Sequence, residues 1–254
     1  MERDDLPGAI ARAHDLLRHA TSVAVLTGAG ISAESGIPTF RDALTGLWSR
    51  FRPEDLATPE AFEADPKRVW DWYAQRRLAV AKARPNAGHY ALADLERQCG
   101  ERGVDFTLVT QNVDGLHHEA GSLGIVELHG SIRRVKCFDR NHAVESWVAV
   151  DGVPACPHCG SLLRPDVVWF GEQLPADGLA RAFAAARTCD VFLCVGTSAL
   201  VEPAASLPLI ALDAGAHVIE VNPQPSLAPD AILCLRGTSG DLLPRLVARE
   251  DDAI

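Results

Sequence analysis

Short apolar runs recur along this chain, and helical patterns fill the gaps between them. The runs cover residues 22–27, 106–110, 125–128, 191–195, 217–221 and 231–235. They are apolar at successive positions more than alternately, which suits parallel strands covered on both faces. Between them, Leu6, Ile10, Ala13 and Leu17 recur at the spacing of one helical face. Leu92, Leu95 and Cys99 mark a second such face, and Leu179, Phe183 and Ala186 a third. Strands alternating with helices predict an α/β fold, a doubly wound parallel Rossmann-like sheet.

Two segments break the alternation. Residues 41–88 carry Trp48, Trp70 and Trp72 and read as helices and loops, whereas residues 133–165 carry Cys137, Cys156 and Cys159 among Pro154, Pro157 and Gly160. Both are expected to form one smaller inserted module. The Rossmann-like domain is then residues 1–40, 89–132 and 166–254, and 254 residues are enough for both units.

Charge and hydropathy exclude some function classes. Asp and Glu number 34 against 24 Lys and Arg, a formal net charge of −10. Proteins that bind nucleic acid or anionic membranes through charge are basic, so neither direct nucleic-acid binding nor a membrane partner is expected. No run approaches the roughly 18 apolar residues of a membrane span. The acidic start Met1-Glu2-Arg3-Asp4-Asp5 lacks the layout of a signal peptide. Seven scattered cysteines suit a reduced, cytoplasmic setting better than a disulfide framework.

The first strand runs into Gly28-Ala29-Gly30-Ile31-Ser32-Ala33, a G-x-G-x-x-A pattern in the position of a dinucleotide-binding turn. By itself it is equally a tight strand-to-helix turn. The acid that holds the ribose in a Rossmann dehydrogenase, about twenty residues on, has no counterpart here. The loop continues instead as Glu34-Ser35-Gly36-Ile37-Pro38-Thr39-Phe40-Arg41-Asp42. With Thr110-Gln111-Asn112-Val113-Asp114-Gly115-Leu116-His117, Leu128-His129-Gly130, Gly196-Thr197-Ser198 and Asn222-Pro223, this continuation resembles the sirtuin family of NAD-dependent protein-lysine deacylases. The motifs stand in family order from about residue 20 to 245.

The resemblance implies NAD as cofactor and an acylated lysine of a protein or peptide as partner. The acyl oxygen attacks the nicotinamide ribose, nicotinamide leaves, and a base takes a proton from a ribose hydroxyl. His129 matches that base, and imidazole suits it because its ordinary pKa lies near working pH. Gln111 and Asn112 would hold ribose hydroxyls and the bound water. Asp114 and Ile37 would line the nicotinamide pocket. Gly28, Ala29, Gly30, Ser32 and Ala33 would form the loop against the cofactor. Phe40 would shield the reacting carbon, and Arg41 would position the phosphates. Gly196, Thr197 and Ser198 would cradle phosphate and adenosine ribose, Asn222 would bind that ribose, and Ser239 would approach the adenine. Asn112, Asp114, Asn222 and Ser239 also belong to residue types common in plain turns.

Tyr73 and Arg76, three apart and on one face if the segment is helical, match the sirtuin subgroup that removes succinyl and malonyl groups. Arg offers a fork for a carboxylate and Tyr a hydroxyl. Ala57 matches the small residue that widens this pocket. Val168, Trp169, Phe170 and Gly171 match the segment along which the substrate backbone adds as a strand.

The family's two Cys-x-x-Cys pairs hold zinc tetrahedrally. Cys156 and Cys159 form one pair, but Cys137 is followed by Arg140 where the fourth thiolate belongs. The site is thus an incomplete zinc ribbon, and two readings stand level: zinc on Cys137, Cys156, Cys159 and His142, or no zinc. Asp139 and His158 are poorer fourth ligands. Cys99, Cys189, Cys194 and Cys234 read as core residues.

The function implied is removal of succinyl, malonyl and acetyl groups from lysine, releasing nicotinamide and O-acyl-ADP-ribose. One alternative is an ADP-ribosyltransferase or NADase on the same scaffold. Another is a non-enzymatic interaction module fused to a nucleotide sensor, which would have no need of His129, Gln111, Asn112 and Asp114.

Overall fold

The computed structural model describes residues 6–38, 53–148, 150–227 and 230–249. Its main sheet has six parallel strands: β1 (Ser22–Thr27), β2 (Asp105–Thr110), β3 (Ile125–Glu127), β7 (Val191–Val195), β8 (His217–Val221) and β9 (Leu233–Leu235). Their order is β3-β2-β1-β7-β8-β9, so the chain winds one way from β1 and then the other. This is the Rossmann arrangement, with its switch point between β1 and β7. The expected α/β class and doubly wound sheet are therefore present.

Successive residues of β1 show why the strands read as continuous apolar runs. Val23 and Val25 face helices α1 (Leu6–His19), α5 (Ala87–Arg102) and α9 (Ser239–Val247), where they meet Ile10, Leu17, Leu92 and Leu243. Ala24 and Leu26 face α7 (Ala176–Thr188) and α8 (Leu207–Asp213), meeting Ala182, Ala186 and Leu207. Each strand residue thus has an apolar layer to bury against on whichever side it points. Among the described residues, no helix is long and apolar enough to cross a membrane.

Beside the sheet lie three helices, α2 (Pro53–Leu56), α3 (Pro59–Ala64) and α4 (Pro66–Lys82). Thr58 caps α3 by accepting a hydrogen bond from the Ala61 N–H, and Asp65 caps α4 through the Arg68 N–H. In each case proline follows the cap, where its fixed φ fits and its missing N–H costs nothing. A second sheet, ordered β5-β4-β6, is antiparallel and built from β4 (Gly130–Cys137), β5 (Ala143–Val144) and β6 (Leu163–Val167). Trp70 of α4 packs on Val135, Cys137, Val144 and Leu163 of that sheet.

Candidate active site

The loops after β1, β2, β7 and β8 converge at the C-terminal edge of the parallel sheet, beside the switch point. Gly28 opens the first loop and leads into a 3₁₀ turn, Ala29–Ser35, that carries Ser32 into the interior. The structure gives the glycines a local reason. A Cβ on Gly28 would stand 2.8 Å from the Thr197 Cα, and one on Gly30 would stand 2.6 Å from the Gly196 carbonyl oxygen. The Gly30 N–H donates to that same carbonyl at 2.7 Å. Close contact between the two loops, and not only approach to a phosphate, thus requires glycine.

The second loop is tied into the first. Asn112 donates through Nδ2 to the Gly28 carbonyl at 3.1 Å and to Ser32 Oγ at 3.3 Å. Ser32 donates to Asp114 Oδ2 at 2.8 Å, and Asp114 Oδ1 accepts from the Leu116 N–H at 2.9 Å. Gln111 donates to Thr197 Oγ1 at 3.1 Å. On the far side, Asn222 donates to the Thr197 carbonyl at 2.8 Å. Ser239, at the first position of α9, is buried behind Gly88. Ala29, Ala33, Ile37 and Ser198 lie on the same loops. Phe40 and Arg41 lie outside the described residues.

His129 stands two residues beyond β3, which ends at Glu127, one residue short of the run read from the sequence. Its Nδ1 sits 2.9 Å from the Gln111 carbonyl oxygen. A carbonyl only accepts, so Nδ1 carries the proton and Nε2 keeps its lone pair. Burial pushes the pKa of His129 below 6.5, partly opposed by the bond to Gln111. The ring is therefore neutral near pH 7, as a general base must be.

The His129 carbonyl accepts from the Val168 N–H at 2.9 Å, and the Phe170 N–H donates to the Ala57 carbonyl at 2.9 Å. The segment 168–171 is thus pinned between His129 and Ala57. Trp169 is buried against Phe62, Tyr73 and Ala57. Tyr73 and Arg76 share a face of α4. The Tyr73 oxygen is 2.9 Å from the Trp169 Nε1, and burial pushes its pKa up to about 12. Arg76 stacks over Trp72 at 4.9 Å and makes no hydrogen bond or ion pair among the described residues.

The sulfurs of Cys137, Cys156 and Cys159 all lie within 4.8 Å of one another, with Cys137 and Cys159 at 3.5 Å. The His142 Nε2 is 3.4 Å from the Cys156 sulfur. Around a tetrahedral zinc with Zn–S near 2.3 Å and Zn–N near 2.0 Å, ligand atoms stand roughly 3.5–3.8 Å apart. The three thiols and their spacings fit zinc, whereas His142 is at ligand spacing from Cys156 but stands outside the group of atoms within 4.8 Å of one another, so its ring must shift to complete a tetrahedron. Arg140 is exposed, and its backbone N–H, like that of Asp139, faces the Cys137 sulfur. The turn after Cys137 therefore keeps its amide contacts to the thiol without a second cysteine. Of the cysteines read as core, Cys99, Cys189 and Cys194 are buried, but Cys234 is exposed, because β9 is the edge strand of the sheet.

The profile of the Sir2 family matches residues 28–203. A Thermus thermophilus protein named NAD-dependent protein deacylase is 54% identical over 228 residues, 89% of each chain. A Ralstonia nicotianae protein of the same name is 51% identical over 240 residues, 94% of this chain and 96% of that one. A crystal structure of a Sir2 homolog–NAD complex matches with a TM-score of 0.86 at 48% identity, covering 93% of this chain and 92% of that one. The chain belongs to the Sir2 family.

In this Sir2-family chain the site also depends on residues to which the sequence reading gave no role, although Glu34 and His117 stand inside its motifs. His89 Nε2 is 3.4 Å from Ser32 Oγ, and His117 Nε2 is 3.0 Å from Thr27 Oγ1. The two imidazole rings pack at 5.0 Å. Burial lowers His89 to about 4 and His117 to about 3, so both are neutral. Glu34 accepts from Thr238 Oγ1 at 3.0 Å and from the Gly240 N–H at 2.7 Å, fastening the first loop to the start of α9. Glu220, fully buried on β8, accepts from the Ser226 and Leu227 N–H groups and so shapes the turn that carries Asn222. The one sequence signal for His89 is Asn86 three residues earlier, since the two form a capping box on α5.

Proposed function

We propose that this Sir2-family enzyme is an NAD-dependent protein-lysine deacylase whose pocket favours acyl groups ending in a carboxylate. Bound NAD supplies the ADP-ribose that accepts the acyl group as nicotinamide leaves. His129 Nε2 takes the proton of a ribose hydroxyl, while the Gln111 carbonyl holds the ring in the tautomer that permits this. Asn112 and Asp114, fixed by Ser32, present the nicotinamide end. Gln111 with Asn112 holds ribose hydroxyls, Thr197, Ser198 and Asn222 face the phosphates and adenosine ribose, and residues 168–171 align the substrate backbone against His129.

The observation that carries the acyl preference is Arg76, whose guanidinium has no hydrogen-bonding or ionic partner among the described residues and shares a face of α4 with Tyr73, close enough to oppose the rise that burial gives the Tyr73 pKa. A succinyl or malonyl carboxylate loses water on entering, and Arg76 with Tyr73 would replace that hydration. Succinyl-, malonyl- and acetyl-lysine peptides mixed with NAD and followed by mass spectrometry test this. Arg76→Met is expected to lower kcat/KM for succinyl-lysine by about 2–4 kcal/mol and for acetyl-lysine by much less. Equal losses on both would mark Arg76 as structural. Nicotinamide release that needs no acyl peptide would instead favour ADP-ribosyl transfer or NAD hydrolysis.

Zinc on Cys137, Cys156, Cys159 and His142 belongs to the same reading, as a clamp joining β4 to the turn before β6. Elemental analysis should find one zinc per chain, reduced in His142→Ala. Full retention in that variant removes His142 from the ligand set.

A further inference from the structure

The end of the acyl pocket has an unusual hydrogen-bonding polarity, and it traces to one indole. A tyrosine hydroxyl has one proton to donate and lone pairs to accept with, so it ordinarily matches either kind of partner. Indole Nε1–H only donates. At 2.9 Å from Trp169 Nε1, the Tyr73 oxygen must therefore accept, and its own proton is directed elsewhere. Arg76, one helical turn further along α4, also only donates.

Trp169 is held so that this donation persists. Its backbone N–H donates to Glu172 Oε2 at 2.7 Å. The Arg164 guanidinium lies 3.3 Å from the centre of its ring and also binds Glu172 and the Val167 carbonyl. The ring packs against Phe62 and is 1% exposed. With Trp169 fixed, the Tyr73 hydroxyl cannot turn its proton towards the indole without setting two donors against each other, so one lone pair stays engaged there and the proton points away from it.

We infer that Trp169 is a specificity-determining positioning residue: it makes the Tyr73 hydroxyl an obligate donor, so that the pocket end accepts a group bearing only acceptors. This rests on the acidic-acyl reading above. It goes further by separating acceptor character from size. A carboxylate has only acceptors to present, whereas the isosteric carboxamide presents an NH₂ as well. Facing Tyr73 and Arg76, that NH₂ meets a guanidinium that only donates and a hydroxyl whose proton and one lone pair are already committed. The enzyme should therefore reject the carboxamide isostere of succinyl-lysine through hydrogen-bond direction as well as lost charge.

Trp169→Phe keeps a ring and deletes the N–H, freeing Tyr73 to accept. The experiment measures kcat/KM for succinyl-lysine and carboxamide-isostere peptides on the full chain with NAD. The enzymes are wild type, Trp169→Phe, Tyr73→Phe and the double variant. The carboxylate-to-carboxamide ratio is expected to fall about tenfold in Trp169→Phe, the scale of one hydrogen bond to a charged group. It should fall about as far in Tyr73→Phe, and Trp169→Phe should add no further loss in the Tyr73→Phe background. A general loosening of the pocket would not show that dependence on Tyr73. A ratio unchanged in Trp169→Phe, or an equal fall with Tyr73 already removed, overturns the inference. If Trp169→Phe does not fold, Tyr73→Phe decides: an unchanged ratio there overturns it as well. Arg76→Met, run alongside, separates the two levels. A succinyl preference that depends on Arg76 but not on Trp169 leaves the acidic-acyl reading standing and removes Trp169. No succinyl preference in the wild type removes both.

Discussion

At the nucleotide end of the cleft, Ser32, Asn112 and Asp114 satisfy one another; at the proposed acyl end, Arg76 stacks on Trp72 but makes no hydrogen bond or ion pair among the described residues. The contrast follows from what each end meets. NAD is the same molecule in every turnover, so a network already closed among Ser32, Asn112, Asp114 and Gly28 holds its loops ready without reorganisation. The acyl group is the variable partner. On the proposed reading, selectivity there comes from donors that one acyl class satisfies and another leaves unpaired.

His129 touches both ends, through the Gln111 carbonyl on one side and the Val168 N–H on the other. It therefore offers the largest test of the comparison. His129→Ala should reduce turnover of succinyl- and acetyl-lysine alike by about 10²–10⁴-fold. NAD affinity, read by calorimetry, should change far less, because a base acts in the transition state more than in ground-state binding. A strongly unequal loss between the two acyl substrates would place His129 at the acyl end only. The low pKa of His129 also predicts that the acidic limb of the rate profile lies below pH 6.5.

The closed network has its own pH signature. His89 and His117 stay neutral in the folded chain down to about 4 and about 3. Below pH 6.5 the unfolded chain protonates these imidazoles while the native one does not. The native state therefore loses stability as pH falls, by about 1.4 kcal/mol per pH unit for each histidine. Above pH 6.5 both states are neutral and the contribution vanishes. Thermal unfolding between pH 7 and 4.5 should show the decline, and His117→Gln should roughly halve it, His89 supplying the rest. A flat wild-type profile would mean that the network admits protons and is not closed.

The two ends also differ in how far the sequence reveals them. Gly28 to Ala33, Gln111 to Asp114 and Gly196 to Ser198 each follow a strand directly, so contiguous residues report a contiguous loop. The covered parallel sheet follows from the same runs, since each strand has apolar layers on both sides, but the order of its strands is not written in them. What stayed hidden depends on partners distant in sequence. His89 meets Ser32 across 57 positions, and Glu34 meets Gly240 across 206. The antiparallel sheet was equally hard to read: β4 exposes Arg133 and Arg134 together at a register shift between Ser131 and Val135, which erases the period-two pattern. Tyr73 and Arg76 were legible as a spacing, but the Trp169 indole that fixes the Tyr73 hydroxyl lies 96 positions away.

The smallest effect sharpens the comparison by separating stability from selectivity within the acyl side. Thr58 adjoins Ala57 but points away from chemistry: its Oγ1 caps α3 by accepting from the Ala61 N–H at 3.1 Å. Thr58→Ala leaves that N–H without its side-chain partner at the start of the helix. Loss of such a cap costs about 1 kcal/mol, which for a domain of this size lowers Tm by roughly 2–4 °C. Ala57 itself is held by the Phe170 N–H and by packing on Trp72 and Trp169, none of which involves the Thr58 hydroxyl. The melting temperature should therefore fall while the ratio of succinyl to acetyl kcat/KM stays within about twofold, as expected of a change remote from the group being recognised. A ratio that moved with the cap would show that the pocket end is set by the pose of α3, and the donors of α4 would then not be the source of selectivity.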